Sequence, residues 1–470
     1  MSVLTPPEAG RRNRRWLGLA VIAAAQFMVI MDTSIIGVAL PEMQRDLGFS
    51  AENLSWVFNA YVVAFGGLLL LGGKVSDVLG ARTVFAAGWV VLAAGSLVAA
   101  MAGNVEVELA GRAIQGAGAA LIAPSALTLL MMLFGGNPRE LTKALALYGA
   151  AAPAGGTAGV FLGGVITEYL SWPWVFAINI PIALVILALV PSSMPAGATG
   201  GSRRVDVVGA VTVTAGLAAL VYAVVQAPEV GWGAARTWWV LAAGLLLVAL
   251  FVAQQARGRD PLVRLGILRA PSLAAANLAQ LLLGAAWIPM WFFLNLYLQQ
   301  VLGFTAFPSG AALLPMTLLI MVGMVVLAPR VLAALGVRTT TVTGLALLAA
   351  GMAWLAMVDP DGSYAVDVLP ASLVAALGMS LAFIPTLGTA ISAAPPEEGG
   401  LASGIVNTSY QIGSALGLAV MTAIATAAGA DRLGDPAALT DGYAAAFVGA
   451  AVVAAVGALA SGVLLRDPRS

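Results

Sequence analysis

Residues 16–41 read WLGLAVIAAAQFMVIMDTSIIGVALP, an apolar run interrupted only by Gln26, the acid Asp32 and the hydroxyls of Thr33 and Ser34. About 20 apolar residues wound as an α-helix cross a hydrocarbon layer of roughly 30 Å, so this stretch spans a membrane and carries a carboxylate near its middle. Arg11, Arg12, Arg14 and Arg15 precede it and would hold its start at the cytoplasmic face. The run is too long for the core of a signal peptide and no small-residue cleavage site follows, which predicts a retained first helix.

Similar runs recur to the end of the chain, near 16–40, 54–73, 83–103, 108–134, 141–166, 174–192, 207–226, 237–256, 272–300, 308–328, 338–357, 366–391, 402–428 and 443–465. Of the 470 residues 60% are hydrophobic and 9% charged, and the mean hydropathy is +0.96; a soluble domain carries roughly 25% charge. The expected fold is therefore an all-α membrane protein with 14 spans. An even number of crossings puts both termini on one side, and the basic residues test that count. With the amino terminus cytoplasmic, all of the 22 Lys and Arg except Arg45, Arg112, Arg236 and Arg432 fall on cytoplasmic segments, as positive charge does in membrane proteins. The acids lean outward, Glu106, Glu108, Asp359, Asp361 and Asp367 among them. Trp172, Trp174, Trp238 and Trp239 sit at span ends, where an interfacial belt belongs.

The chain contains no Cys and no His. Disulfides, thiolate chemistry, the commonest metal ligands and the usual neutral-pH acid–base group are absent, so neither an enzyme nor a bound metal or cofactor is expected. The net charge is zero, which offers nucleic acid no electrostatic footprint. No GxxxxGK[ST] loop is present to drive transport with ATP.

Gly72 to Gly88 (GGKVSDVLGARTVFAAG) aligns without gaps to Ala328 to Gly344 (APRVLAALGVRTTTVTG), and Leu47-Gly48-Phe49-Ser50 is echoed by Leu302-Gly303-Phe304-Thr305. This repeat predicts two similar six-helix halves, spans 1–6 and 9–14, with spans 7 and 8 inserted. The boundaries expected are 1–192, a linker with two inserted spans over 193–265, and 266–470. Parallel halves of this kind hold a substrate near mid-membrane between them.

With the loops set aside, one acid and one base remain embedded, Asp32 in the first span and Arg112 in the fourth. An unpaired charge at a helix centre costs about 2.5–3.5 kcal/mol even on the lenient insertion scale, so both are functional candidates and natural partners. A change in their separation would load or release a proton. A static buried pair that merely ties helices together is the other reading of the same two residues.

Met31-Asp32-Thr33-Ser34-Ile35-Ile36-Gly37-Val38-Ala39-Leu40-Pro41 resembles the first-helix signature of the fourteen-spanner drug:proton antiporters of the major facilitator superfamily. Gly73-Lys74-Val75-Ser76-Asp77-Val78-Leu79-Gly80-Ala81-Arg82 is similar to the superfamily's cytoplasmic loop motif, and Arg112-Ala113-Ile114-Gln115-Gly116-Ala117-Gly118 to its fourth-helix motif. The resemblance covers the whole chain, including Gly400-Leu401-Ala402-Ser403-Gly404. It implies a major-facilitator fold of two six-helix bundles plus two additional helices. The activity implied is proton-coupled export of small amphipathic molecules such as antibiotics, with Asp32 and Arg112 coupling the proton. It also assigns gating to Gly73, Asp77, Gly80 and Arg82 of the loop and to Pro153, Gly159, Gly163 and Gly164 of the Gly-rich fifth span. The chain departs from the family in three places: Val160 stands where a Pro follows the glycine, Val78 where the loop has Arg, and Trp172-Pro173-Trp174 where Trp-Arg-Trp is usual.

Candidate cargo-contacting residues are Gln26 and Met31, Asn59 and Tyr61, Trp291, Asn295, Tyr297 and Gln299, and Asn407, Tyr410 and Gln411. With no second deep acid to hold a fixed cation, neutral or weakly ionised cargo is favoured. The partners expected are the lipid bilayer, a small molecule and protons, acting on a monomer in the bacterial inner membrane with both termini cytoplasmic. A metabolite facilitator or symporter of the same fold is the competing expectation, and a membrane scaffold, which needs no embedded charges, is a third.

Overall fold

The computed structural model of the chain describes residues 6–195, 206–258, 261, 262, 266, 270–393 and 399–465. The first helices are α1 (Pro6–Leu47), α2 (Trp56–Leu79), α3 (Ala81–Ala100), α4 (Val105–Phe134), α5 (Pro138–Tyr169) and α6 (Trp174–Ser193), the last interrupted by a turn at Ile178. Then come α7 (Val207–Val230), α8 (Ala235–Arg257) and α9 (Pro271–Leu296), which a π turn continues to Val301.

Thirteen continuous helices among the described residues are long and apolar enough to cross a membrane. One of them, Ala306–Leu355, has 50 residues, about 75 Å of helix and more than twice a bilayer core. It breaks at Gly336, whose φ of 79° and ψ of 174° are not helical. The two arms, α10 (306–335) and α11 (337–355), are separate crossings. With α12 (Leu369–Ser392), α13 (Gly399–Ala425) and α14 (Pro436–Leu464) the crossings number fourteen, as the sequence predicts. The start of α1 and the end of α14 accordingly lie on one side, here called the terminal side; the opposite side is the distal side.

The internal repeat is carried into the backbone. Gly80 ends α2 with a φ of 88°, and its counterpart Gly336 ends α10 with a φ of 79°. Gly48 after α1 and Gly303 after α9 match as well, at 73° and 68°. These values lie in the region that a Cβ disfavours, so both turns require glycine.

Close helix contacts repeat in the same order. On α5, Gly155, Gly159 and Gly163 face the α1 carbonyls of Phe27, Met31 and Ile35; a Cβ on Gly159 would lie 2.7 Å from the Met31 oxygen and one on Gly163 2.5 Å from that of Ile35. The corresponding pair is α9 and α13, where Gly413 and Gly417 sit on the Leu281 and Ala285 carbonyls. Likewise Gly88 and Gly95 of α3 abut Gly118 and Gly111 of α4, while Gly344 and Gly351 of α11 abut Gly378 and Ala371 of α12. In lipid, where no hydrophobic force draws helices together, backbone approach of this kind supplies the packing. The inserted α7 lies against α2, with Thr214 on Gly67 and the Gln226 amide donating to Asn53 Oδ1 at 2.8 Å. Asp206 starts α7 by accepting from the Gly209 N–H at 2.8 Å and also receives the amides of Gln254 and Gln255 from α8.

Gly163→Val should therefore lower the stability of the purified protein by about 1–3 kcal/mol, as overpacking does. Gly149→Ala, on the terminal half of α5 where a Cβ would meet nothing within 4 Å, should leave stability unchanged or slightly raised. Thermal unfolding in detergent checks the contrast, and equal melting of the two variants would mean that α1 and α5 are not in backbone contact.

Candidate functional site

Asp32 and Arg112 meet. Arg112 Nη1 donates to Asp32 Oδ2 at 2.8 Å, and the two side chains are 0% and 1% exposed respectively. The other carboxylate oxygen, Oδ1, accepts from Asn179 Nδ2 at 2.6 Å and from Gln115 Nε2 at 3.1 Å. Gln115 in turn accepts from Arg112 Nη1 at 2.7 Å and donates to Ser96 Oγ at 2.8 Å, and the Ser96 hydroxyl donates to the Leu92 carbonyl. Among the described residues each hydrogen bond to Asp32 comes from an N–H donor, a set that an ionised carboxylate satisfies. Arg112 is further held by the Val57 carbonyl, 2.9 Å from Nε, and lies over the Tyr61 ring with its guanidinium carbon 4.5 Å from the centroid. Its Nη2 has no hydrogen-bond partner among the described residues.

The helices explain this convergence. Asp32 is past the midpoint of α1 toward its distal end, Ser96 lies near the distal end of α3, and Arg112 and Gln115 are one turn apart on α4. Asn179 stands at the break in α6, where the helix restarts after Ile178. The network is thus assembled from α1, α2, α3, α4 and α6, and among the described residues no side chain of α9–α14 hydrogen-bonds to it.

The expectation of a single embedded acid does not hold. Glu108, read from the sequence as an outward-leaning acid at the end of the fourth span, lies on α4 one turn before Arg112 and is 0% exposed. Neither carboxylate oxygen meets a hydrogen-bond partner among the described residues.

The distal ends of the two sets of helices are sealed together. Gln299 Nε2 donates to the Val38 carbonyl at 2.9 Å, Gln300 Nε2 to Gln44 Oε1 at 2.8 Å, and the Phe307 N–H to Glu168 Oε2 at 3.3 Å. The Trp291 indole fills the space over Gly37 and meets Phe58 edge-on, centroids 5.9 Å apart. On α5, Val160 and Gly164 abut Gly310, and Gly164 also abuts Ala306 and Phe307. Nearer the terminal side the contact passes to α2 and α13, with Gly66 against Gln411 and Gly404 against Leu70.

The residues expected to touch cargo therefore separate. Trp291, Asn295 and Gln299 belong to the distal seal, Asn295 donating to the Trp291 carbonyl at 2.9 Å beside Gly37. Tyr297 donates to the Asp359 carbonyl at 2.6 Å, within the distal loops of the second half. Tyr61 lies beneath Arg112, and Met31 is buried with its carbonyl on Gly159. Asn59 is fully buried with neither amide atom partnered among the described residues. Gln26, Asn407, Tyr410 and Gln411 remain half-buried at mid-depth; Gln26 accepts from the Tyr148 hydroxyl at 2.8 Å, and the Tyr410 ring meets Phe383 edge-on. Of the loop motif, Gly73 packs on Pro124, Gly80 forms the turn and Arg82 is half-buried. The side chain of Asp77 lies outside the described residues, as do those of Gly400, Leu401 and Ser403. Pro153 sits inside α5, its carbonyl taken by the Thr157 hydroxyl at 3.0 Å.

Asn179, Ser96 and Glu108 were missed from the sequence. Asn179 had a signal, a lone amide within the apolar run of the sixth span; Ser96 had none, since hydroxyls of this kind are common in spans.

Residues 22–418 match the family model described as Major Facilitator Superfamily. The chain is 40% identical over 437 residues to the cephamycin export protein CmcT of Amycolatopsis lactamdurans, covering 92% of this chain and 89% of that one. It is 39% identical over 446 residues to the puromycin resistance protein of Streptomyces alboniger, covering 92% and 87%. The tetracenomycin C resistance and export protein of Streptomyces glaucescens is 32% identical, with 91% and 78% covered. Among solved structures the nucleoside transporter NupG superposes with a TM-score of 0.66 at 15% identity, over 95% of this chain and 99% of that one. That last likeness is one of fold.

The ion pair predicts a non-additive pattern of stability. Arg112→Met, which strands the Asp32 charge, should cost about 3–5 kcal/mol, and adding Asp32→Leu to it should recover part of that loss. A double-mutant cycle by detergent or thermal unfolding reads the coupling. Additive losses would mean the two side chains do not interact.

Proposed function

The chain belongs to the major facilitator superfamily, and we propose that it exports small amphipathic organic molecules, antibiotics among them, in exchange for protons by alternating access. The observation that carries this reading is the Asp32–Arg112 pair, an ionisable carboxylate held by its counter-ion inside the helix bundle, in a chain similar over 92% of its length to a cephamycin export protein and a puromycin resistance protein. A transport protein of this family is expected to have no enzymatic step, cofactor or metal.

The conformation supports a place in the cycle. The distal side is closed by Gln299, Gln300, Phe307 and Trp291 against α1, α2 and α5, while a Cβ on Gly149 of α5 or on Gly388 of α12 would meet nothing within 4 Å. With the terminal side cytoplasmic, as the basic residues favour, this is the resting state that accepts cargo from the cytoplasm. Asp32, ionised and paired, holds α1 in place. Cargo binding among Gln26, Tyr148, Asn407, Tyr410 and Gln411 loosens the seal, and the distal side opens. A proton from outside then neutralises Asp32, releases Arg112 and allows the return. Gly80, the loop around it and the glycine faces of α5 act as the moving joints. One chain supplies every element, so the unit of transport is a monomer in the bacterial inner membrane.

Cephamycins and puromycin, for whose export and resistance two relatives are named, are the first cargoes to try. In inverted vesicles holding a pH gradient, adding the transported compound should dissipate the gradient for the intact protein. Asp32→Asn should abolish that response while still exchanging labelled compound at equilibrium. Coupled flux surviving in Asp32→Asn would refute the assignment.

A further inference from the structure

Two groups beside the ion pair are left without partners. Glu108 is 0% exposed and, among the described residues, neither of its oxygens is hydrogen bonded; Arg112 Nη2, on the next turn of the same helix, is likewise unpartnered among them. Glutamate four residues before arginine is the favourable order for a helical ion pair. The pair does not form because Arg112 is turned toward Asp32 and Gln115. A buried carboxylate with no hydrogen bond is far too costly to leave ionised. The charged groups acting on Glu108 are Arg112 on its own helix and Asp32 on α1. Around Arg112 and Asp32 the cluster also holds the Gln115 amide of α4, the Tyr61 phenol from α2, the Ser96 hydroxyl from α3 and the Asn179 amide from α6.

We propose that Glu108 is a second proton-carrying residue, sharing one proton with Asp32 while Arg112 pairs with whichever of the two is ionised. Two carboxylates, one guanidinium and one proton sum to zero, so the cluster is neutral in both arrangements. In the arrangement seen here the proton is on Glu108 and Arg112 holds Asp32. In the other, the O–H bond on Glu108 breaks, one forms on an Asp32 oxygen, and Arg112 swings one turn along α4 to Glu108 with all its protons retained. This solves a problem that a lone acid leaves open. Protonating Asp32 by itself would strand the Arg112 charge in the membrane, and Glu108 is the group placed to take it over. Glu108 also lies nearer the distal end of α4 than Arg112 does, on the side from which an exporter receives its proton.

The consequence for transport rests on the antiport reading above, but the proton-sharing itself is tested without transport. In infrared difference spectra of the purified protein at neutral pH, the C=O band of a protonated carboxyl should be present in the intact chain and absent in Glu108→Gln. It should also disappear in Asp32→Asn, because Glu108 then ionises to pair with Arg112. If the intact chain shows no band that Glu108→Gln removes, Glu108 is ionised and the proposal fails; if the band persists in Asp32→Asn, the proton is not shared and it fails equally. The first comparison needs only a near-isosteric substitution, so it decides even where Asp32→Asn does not fold. In vesicles, Glu108→Gln should slow proton-driven export about tenfold or more at neutral pH and displace its pH profile toward acid by about one unit or more. An unmoved profile would reduce Glu108 to a structural residue, whereas loss of antiport in the intact protein would sink the antiport reading and leave the infrared result standing.

Discussion

A charge in the middle of a membrane has to be answered by another charge, and in this protein one answer, Arg112 to Asp32, organises the helices around it. The pair draws α1 against α4, and Gln115, Asn179 and Ser96 extend the hold to α3 and α6. Five and six residues further along α1, about 7.5–9 Å of helix, Gly37 and Val38 carry Trp291 and Gln299 of the second half. A change at Asp32 is therefore delivered to the distal seal through less than two turns of one helix. The network need not face the cargo to govern access, which explains how a pair sealed within the first six helices can matter to a space between the halves.

The other face of α1 is held differently. Gly155, Gly159 and Gly163 set α5 backbone to backbone with α1, a contact with few interlocking side chains to fix its angle. On its far side α5 presents Val160 and Gly164 to Gly310. A helix gripped by charge on one face and by a smooth glycine surface on the other can rotate when the grip is released, and α5 is placed to pass that rotation to α10. The recurrence of the same glycine contacts between α9 and α13 gives the second half the same freedom.

Much of this was legible before any coordinates. The crossings, the repeat and the embedded pair follow from hydropathy, from aligned glycines and from the cost of charge in lipid, all of which depend on position along the chain. What was not legible depends on direction around a helix. Tyr61, Tyr297 and Gln299 lie at suitable depths to touch cargo, but they point to Arg112, to the Asp359 carbonyl and to Val38. Glu108 was lost for a related reason: it sits at the start of a span, where a boundary uncertain by a few residues decides whether an acid is solvated or buried. Gly336 shows the converse case, since the repeat identified it as a turn although the helix is otherwise continuous across the loop.

The central claim is that, in the absence of cargo, the paired state of Asp32 keeps the distal side closed. The chain has no native cysteine, so spin labels can be placed singly at Leu170 and Val366, both exposed at distal ends of the two halves, and their separation measured by electron–electron double resonance. The account predicts one short distance for the otherwise intact protein and an added population at longer distance when Asp32→Asn is introduced. Identical distance distributions with and without that substitution would contradict it.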